Sequence, residues 1–268
     1  MIKRENPTTT QANVVFFITV LATLAGSVIL MPRLGMGTNL WINEFIYILF
    51  PALLLAGLNR WNLEKVYRYR RASKRNKIIG IFSGIGIWFF ASYVSKIISS
   101  LLNNGVGVIK AGNAGSMSLN QQILILIGMV ILAPICEETL FRGFIQRAYE
   151  NRSGKYGFVI TAILFGSFHI LNGLSEVIPA TVIGLVLGYL VYRTGSISTS
   201  ILAHAANNLS SIAGGALGLT TFSDMPLWLH FVSMAALGVI ILLLRGLKAE
   251  SHDEADNEVQ AIKKHTPV

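Results

Sequence analysis

Residues 123–136 read ILILIGMVILAPIC, and this run without a single charge is the stretch that decides the fold class. Directly after it, Glu137, Glu138 and Arg142 bring two carboxylates and a guanidinium into six positions. Charged side chains inside a bilayer are costly unless they pair or perform a function. If the run crosses a membrane, the charged cluster is therefore the first candidate for a functional site.

The overall composition places the chain in the membrane class. Hydrophobic residues make up 53% of the 268 residues and charged residues only 13%, whereas a soluble domain carries about 25% charged residues. The net charge of +9 could indicate a nucleic-acid partner, but the basic residues are concentrated between apolar segments. We therefore attribute the charge to membrane topology and predict no nucleic-acid partner.

The apolar segments have the length of membrane-spanning helices. A span needs about 20 mostly apolar residues, and turn-forming residues divide the chain into pieces of about that size. We predict an all-α membrane protein, a bundle of about eight transmembrane helices that forms a single transmembrane domain over 1–248. The predicted spans are 13–31, 41–58, 78–102, 119–141, 157–172, 177–193, 197–218 and 227–245.

The distribution of basic residues predicts the orientation. The segment 59–77 contains eight Lys or Arg residues against one acid, Glu64, so the positive-inside rule predicts that it is cytoplasmic. The loops on the opposite side contain only Arg33 and Lys110. We predict a multi-pass protein of the cell membrane with both termini cytoplasmic. The polar tail 249–268 is expected to be disordered and cytoplasmic.

Helix geometry divides the charged cluster into two parts. Glu137 and Glu138 project about 100° apart on a helix, while Glu138 and Arg142 lie four residues apart on one face and can form an ion pair. Glu137 is left without a local partner, as a general base would be, and Pro134 can kink the helix one turn earlier. The alternative is a helix end at the interface, whose charges simply reach water.

Three more polar side chains lie inside apolar spans. His169 follows Phe165 by four residues, and His204 and Asn208 are also four apart, so each pair shares a helix face. Taken singly, each histidine could be a hydrogen-bonded packing residue. Their joint occurrence with an unpaired carboxylate favours a common site.

The predicted depths are compatible with one site. Helix rise places Glu137, His169 and His204 at levels that could meet in the inner half of the bilayer. Glu44 and Lys96 are predicted near the external ends of their spans, where they can reach water.

These residue types can carry out hydrolysis. A carboxylate with a histidine can activate water, and a second histidine with an asparagine can stabilise an oxyanion, which together would hydrolyse an amide without a covalent intermediate. Two histidines and one glutamate are also a known zinc ligand set, so the residues alone leave a metal possible. Cys136 as a nucleophile is a weaker alternative, because buried cysteines are usually inert.

Three motifs in this chain resemble those of the CPBP family. That family comprises the type II CAAX prenyl proteases and the bacteriocin-processing or Abi-type intramembrane proteases. The motifs occur in family order over roughly 130–210, each is weak alone, and their combination is specific. They are Glu137-Glu138-x-x-x-Arg142, Phe165-x-x-x-His169 and His204-x-x-x-Asn208.

The resemblance implies an eight-helix intramembrane endopeptidase whose site is open to the cytosol. It implies that Glu137 and His169 activate water, that His204 and Asn208 stabilise the oxyanion, and that the other two motif residues support them. The implied mechanism is metal-free, so no cofactor is predicted, and zinc is the alternative. The catalytic set is Glu137, His169, His204 and Asn208, the supporting residues are Glu138 and Arg142, and zinc ligands would be Glu137, His169 and His204.

The predicted function is therefore hydrolysis of a peptide bond near the C-terminus of, or within, a membrane-associated peptide or protein. The protease core would cover about 119–218, and the predicted partners are the lipid bilayer and a membrane-embedded or lipid-modified substrate. One alternative is a non-catalytic bacteriocin-immunity or scaffold protein of the same fold. Another is a proton-coupled transporter, because intramembrane Glu and His also form proton relays.

Overall fold

The computed structural model describes residues 6–102, 117–217 and 227–247. Within these ranges the chain is helical and has no strand, so the prediction of an all-α membrane protein is confirmed. The predicted tail 249–268 and Lys110 lie outside the described residues. Each predicted span corresponds to one long helix: α1 (Thr9–Ile29), α2 (Met36–Asn59), α3 (Lys74–Leu101), α4 (Leu119–Ser153), α5 (Tyr156–Phe168), α6 (Val177–Thr194), α7 (Ile197–Ala216) and α8 (Leu227–Arg245).

Not all of these helices have the length and hydropathy of a membrane span. In the described part of the chain, five segments do: α1 to α4, and Leu174–Thr194, which contains α6. The apolar segments Tyr156–Asn172, which contains α5, and Phe231–Arg245, which is part of α8, are shorter. Helix α7 carries several polar residues along its 20 residues. The exact count of eight spans stays a prediction.

Two helix boundaries differ from the sequence-based prediction in a way that matters for the site. Helix α4 continues to Ser153 instead of ending at residue 141, so Glu137 lies about 24 Å from that end at 1.5 Å per residue. Helix α2 begins at Met36 instead of residue 41. Glu44 is therefore about two turns inside the helix.

Helix α4 is locally wound as a π-helix on both sides of Glu137 and Glu138. The π-helical turns cover Gly128–Leu132 and Thr139–Ile145, and the α-helical segment Ala133–Glu138 lies between them. Pro134 near the start of that segment has no N–H to donate, which explains an irregular turn upstream. Single π-helical turns occur frequently at functional sites.

One end of the bundle collects the basic residues, and we call it the basic end. There the backbone N–H of Ile197, at the start of α7, donates to the carbonyl of Arg68 (3.0 Å). Arg193, at the end of α6, donates to the carbonyl of Leu247 (3.3 Å). The Arg68 guanidinium pairs with Glu150 near the end of α4. The basic segment 59–77 is thus fixed to the ends of several helices.

Tyr67 anchors the basic segment in the interior. It is fully buried, and its hydroxyl donates to the carbonyl of Ala52 (2.5 Å). Burial raises the pKa of Tyr67 above its ordinary value, so the phenol stays neutral and keeps its proton for this hydrogen bond. Its ring packs against Trp61 and Phe144.

The opposite end, which we call the far end, has its own polar contacts. The side-chain oxygen of Gln121 accepts from the N–H of Gly37 (2.7 Å), which ties the start of α4 to the start of α2. Ser95 donates to Glu176 (2.8 Å), which ties the last part of α3 to the segment before α6. Consecutive helices therefore run up and down between the two ends.

Two glycine pairs let helices approach closely, as their GxxxG spacing permits. A Cβ at Gly84 would lie 2.0 Å from the backbone carbonyl oxygen of Ala203, and one at Gly80 would lie 2.8 Å from that of Thr199. Helix α3 thus packs backbone to backbone on α7, next to His204. On the other side of the bundle, a Cβ at Gly184 would lie 3.1 Å from Cα of Ala162 in α5.

Gly84→Ala is expected to destabilise the protein by about 1–3 kcal/mol or more, because the added methyl meets a backbone atom that cannot rotate away. The measurement is the thermal unfolding midpoint in detergent. Gly57→Ala is the matched control, because Gly57 is exposed on α2 and its Cβ would meet nothing within 4 Å. Equal midpoints for the two variants would show that α3 and α7 are not packed this closely.

Candidate active site

The predicted catalytic residues line one cavity among the helices. The cavity has a volume of about 940 Å³. Glu137 comes from α4, His169 from the 3-10 turn after α5, and His204 and Asn208 from α7. The structure therefore brings together four side chains that are far apart in sequence. The two supporting residues, Glu138 and Arg142, are fully buried behind the cavity wall.

Glu137 is a buried carboxylate, and one of its oxygens has no hydrogen-bond partner in the described part of the chain. Its exposed fraction is 8%, and its Oε2 has no partner among the described residues. Buried carboxylates are normally paired or hydrogen-bonded. An unpartnered oxygen at a cavity wall is available to a ligand or a water molecule, as the sequence predicts for Glu137.

Glu138 connects two other motif residues. Its Oε1 accepts from Nη1 of Arg142 at 2.8 Å, with both side chains fully buried, which confirms the predicted ion pair. The same oxygen lies 3.0 Å from Nδ1 of His204, a contact between α4 and α7 that the sequence does not reveal. Glu138 therefore orients a histidine in addition to neutralising an arginine.

Arg142 is further held by backbone and aromatic contacts. Its Nη2 donates to the carbonyl of Gly184 (3.2 Å), and its guanidinium carbon lies 4.3 Å from the ring centroid of Phe165. Cation–π contacts of this kind stabilise a desolvated guanidinium. The Phe165 ring also lies 4.5 Å from the His169 ring and 5.9 Å from the His204 ring, centroid to centroid. The Phe165 ring thus lies against the buried arginine and both histidines.

The hydrogen bonds of the two histidines define their tautomers. Nδ1 of His169 lies 2.8 Å from the carbonyl oxygen of Phe165, and a carbonyl only accepts, so Nδ1 carries the proton. Nδ1 of His204 faces a carboxylate paired with Arg142 and must donate as well. Nε2 is thus an acceptor in either neutral ring, and His204 can donate from Nε2 only as the imidazolium.

Asn208 is positioned by two hydrogen bonds. Its Nδ2 donates to the carbonyl of Met129 in α4 (2.8 Å), and its Oδ1 accepts from Nδ2 of Asn207 (3.1 Å). The second hydrogen on the Asn208 Nδ2 remains for another acceptor. Asn207, which the sequence analysis did not single out, also lines the cavity.

Two cavity residues were placed wrongly by the sequence analysis. Glu44 is 2% exposed and has an unpartnered Oε2 among the described residues, and it lines the same cavity as Glu137. Lys96 also lines the cavity, with a buried Nζ that has no partner in the described part of the chain. Both residues were expected to reach bulk water. The signal that could have identified Glu44 is a carboxylate followed at once by a long apolar run.

Other nucleophiles and metal ligands are less well placed. Cys136 is fully buried and is not among the described residues of the cavity lining. Ser196 lies at the basic end, where its hydroxyl bonds the carbonyl of Arg70. No three His, Cys, Asp or Glu side chains in the described ranges converge closely enough to hold a metal ion. The zinc set proposed from the sequence therefore shares a cavity without forming a metal-binding cluster.

Comparison with known proteins agrees with the motif resemblance. The family model described as "Type II CAAX prenyl endopeptidase Rce1-like" matches residues 119–210. This segment is therefore similar to the Rce1-like family. The family prediction is thereby confirmed for this part of the chain. All six predicted site residues fall within the matched segment: Glu137, Glu138, Arg142, His169, His204 and Asn208.

A curated relative gives no further functional information. The uncharacterized protein YyaK of Bacillus subtilis (strain 168) is 31% identical over 160 residues, which covers 52% of this chain and 52% of YyaK. The chain thus spans about half the length of that relative. No solved structure matches the chain.

Proposed function

We propose that this protein is an intramembrane endopeptidase that cleaves a membrane-associated peptide or protein with a water molecule activated by Glu137. The observation that supports this most strongly is the unpartnered Oε2 of Glu137 in a cavity shared with two histidines. The match of residues 119–210 to the Rce1-like family model also supports a protease of the CAAX type.

In the proposed reaction, Glu137 removes a proton from water, and the oxygen adds to the carbonyl carbon of the peptide bond. His169 accepts a hydrogen bond from the same water at Nε2, because its Nδ1 proton is held by the Phe165 carbonyl. The tetrahedral intermediate then collapses and the C–N bond breaks. Glu137 returns the proton to the departing amine.

The negative charge on the tetrahedral oxygen is stabilised from α7. His204 donates from Nε2 as an imidazolium, and Glu138 stabilises this charged form from the other side of the ring. Asn208 donates its remaining amide hydrogen. Because Asn208 is already fixed by Met129 and Asn207, it needs little reorganisation when the oxyanion forms.

The setting that we propose is the cell membrane, with both termini and the basic end cytoplasmic, as the distribution of Lys and Arg favours. Lipid-modified proteins and other membrane-anchored peptides are the proposed substrates. The proposed mechanism needs no metal, and the zinc alternative is open to a direct test.

Cleavage is expected to persist after stringent metal removal, because Glu137 alone can act as the base. The measurement uses the full chain purified in detergent and mass spectrometry of peptide products, before and after chelation. Farnesylated and unmodified copies of one peptide, compared at equal concentration, define the substrate class. Loss of cleavage on chelation, with recovery on adding Zn²⁺, would contradict the metal-free mechanism.

A further inference from the structure

The cavity is built from one half of the bundle. Its described lining includes Thr23 and Ser27 in the last part of α1, Asn39 in the first part of α2, and Ser99 near the end of α3. All of these positions lie toward the far end. On the remaining helices the lining also lies at the middle or toward the far end. Helix α4 contributes Ile125, Met129, Ala133 and Glu137, and α7 contributes His204, Asn207, Asn208 and Ser211. Helix α5 contributes Phe165, α6 contributes Pro179, Ala180 and Ile183, and α8 contributes Trp228 and Ser233.

Glu137 and His204 mark the deep limit of the cavity. Among the described lining residues, none on α4 or α7 lies closer to the basic end than these two. Beyond them, toward the basic end, the interior is closely packed. Side chains there are 0% exposed and leave no path for a peptide: Leu140, Phe144, Ile145, Gln146, Leu187, Leu190, Thr199 and Ser200.

The route from the far end to Glu137 is polar enough for a peptide backbone. Asn39, Asn43 and Ser92 line it, together with three ionisable side chains, Glu44, Lys96 and Glu176. An extended peptide requires such donors and acceptors along its path, because an unpaired backbone group in an apolar setting is costly. The packed side below the site provides no comparable path.

We infer that the peptide substrate reaches Glu137 from the far end, which is the extracytoplasmic face if the basic segment 59–77 is cytoplasmic. This inference rests on the proposed function and departs from the cytosolic opening that the family resemblance implies. The substrate class is then peptides presented on the outer face of the membrane: exported peptides or the outer segments of membrane proteins.

The first test measures access without requiring activity. Met129→Cys places a thiol on the cavity wall between the far end and Glu137, and Asn151→Cys places one on the exposed basic end. The wild-type chain is the blank, because its single cysteine is buried. In right-side-out vesicles, a membrane-impermeant maleimide is expected to label Met129→Cys and not Asn151→Cys. In inverted vesicles, the pattern is expected to be reversed.

The second test measures cleavage of a charged, impermeant peptide added outside the two kinds of vesicle. Cleavage is expected from right-side-out vesicles, while inverted vesicles show only the rate of their leaky fraction, because a charged peptide does not readily cross a bilayer. The entry route would be wrong if cleavage, or labelling of Met129→Cys, were stronger in inverted vesicles or equal in both kinds of vesicle. The proposed protease function would not be affected by that result. Absence of cleavage in vesicles and in detergent would refute the proposed function, and the labelling would still decide the route.

Discussion

Replacing Glu137 by Gln is expected to lower the rate of peptide cleavage by about 10²–10⁴-fold, the usual contribution of a general base. Gln has nearly the same shape and remains a hydrogen-bond partner, but it cannot take a proton from water. The fold should be retained, because Glu137 makes no hydrogen bond through Oε2 with the described residues. The rate is measured with purified protein and a single peptide, and the fold by its unfolding midpoint.

Glu64→Gln is the matched control for this change. Glu64 is exposed in the basic segment, so the substitution removes one carboxylate charge without touching the cavity. Full cleavage is expected. If Glu137→Gln cleaves as fast as Glu64→Gln, water activation by Glu137 is wrong. If neither the wild type nor a variant cleaves while biological activity persists, the non-catalytic alternative is favoured.

Replacing Arg142 by Met is expected to lower the free energy of unfolding by about 3–5 kcal/mol, because breaking a buried pair leaves an uncompensated charge. The stranded charge is Glu138, which is fully buried and would retain the contact to His204 but no guanidinium. Unfolding by denaturant in detergent measures the loss. The double change Arg142→Met with Glu138→Gln should recover part of it, because it removes the stranded charge.

Arg152→Met is the control, because it removes a guanidinium that is not part of a buried ion pair. Arg152 is exposed at the basic end, and exposed charges contribute about 0–1 kcal/mol. Equal stability of the two single variants would mean that the Glu138–Arg142 pair is not buried as described. If Arg142→Met does not accumulate in membranes, the yield of the double variant tests the same point.

Short-range geometry made part of the site predictable. Glu138 with Arg142, and His204 with Asn208, are four residues apart, and regular helix geometry places such pairs together whatever the rest of the fold does. The absence of a local partner for Glu137 followed from the same reasoning. These relations needed only the knowledge that the segments are helical, which the apolar composition supplied.

Contacts between helices were not predictable in this way. The bond from His204 to Glu138 joins residues 66 positions apart, and no local pattern encodes it. Glu44 was missed for another reason: the predicted start of its span was five residues late, which moved a buried carboxylate to a water-exposed position. The early start of α2 depends on contacts such as Trp41 with the carbonyl of Leu124 (2.9 Å), which come from the tertiary packing.

Glu137 and Glu138 are neighbours of the same residue type, but Glu138 cannot take over the role proposed for Glu137. Two identical side chains occupy successive positions, yet one borders a large cavity and the other is enclosed with a guanidinium. The effective dielectric constant is thus lower around Glu138 than around Glu137, and the attraction between Glu138 and Arg142 is stronger there than it would be in water. The second carboxylate consequently cannot replace the first: its charge is already neutralised, and turning toward the cavity would leave a bare cation inside the protein. A chain that loses Glu137 therefore keeps a neighbour of identical chemistry that cannot take its place.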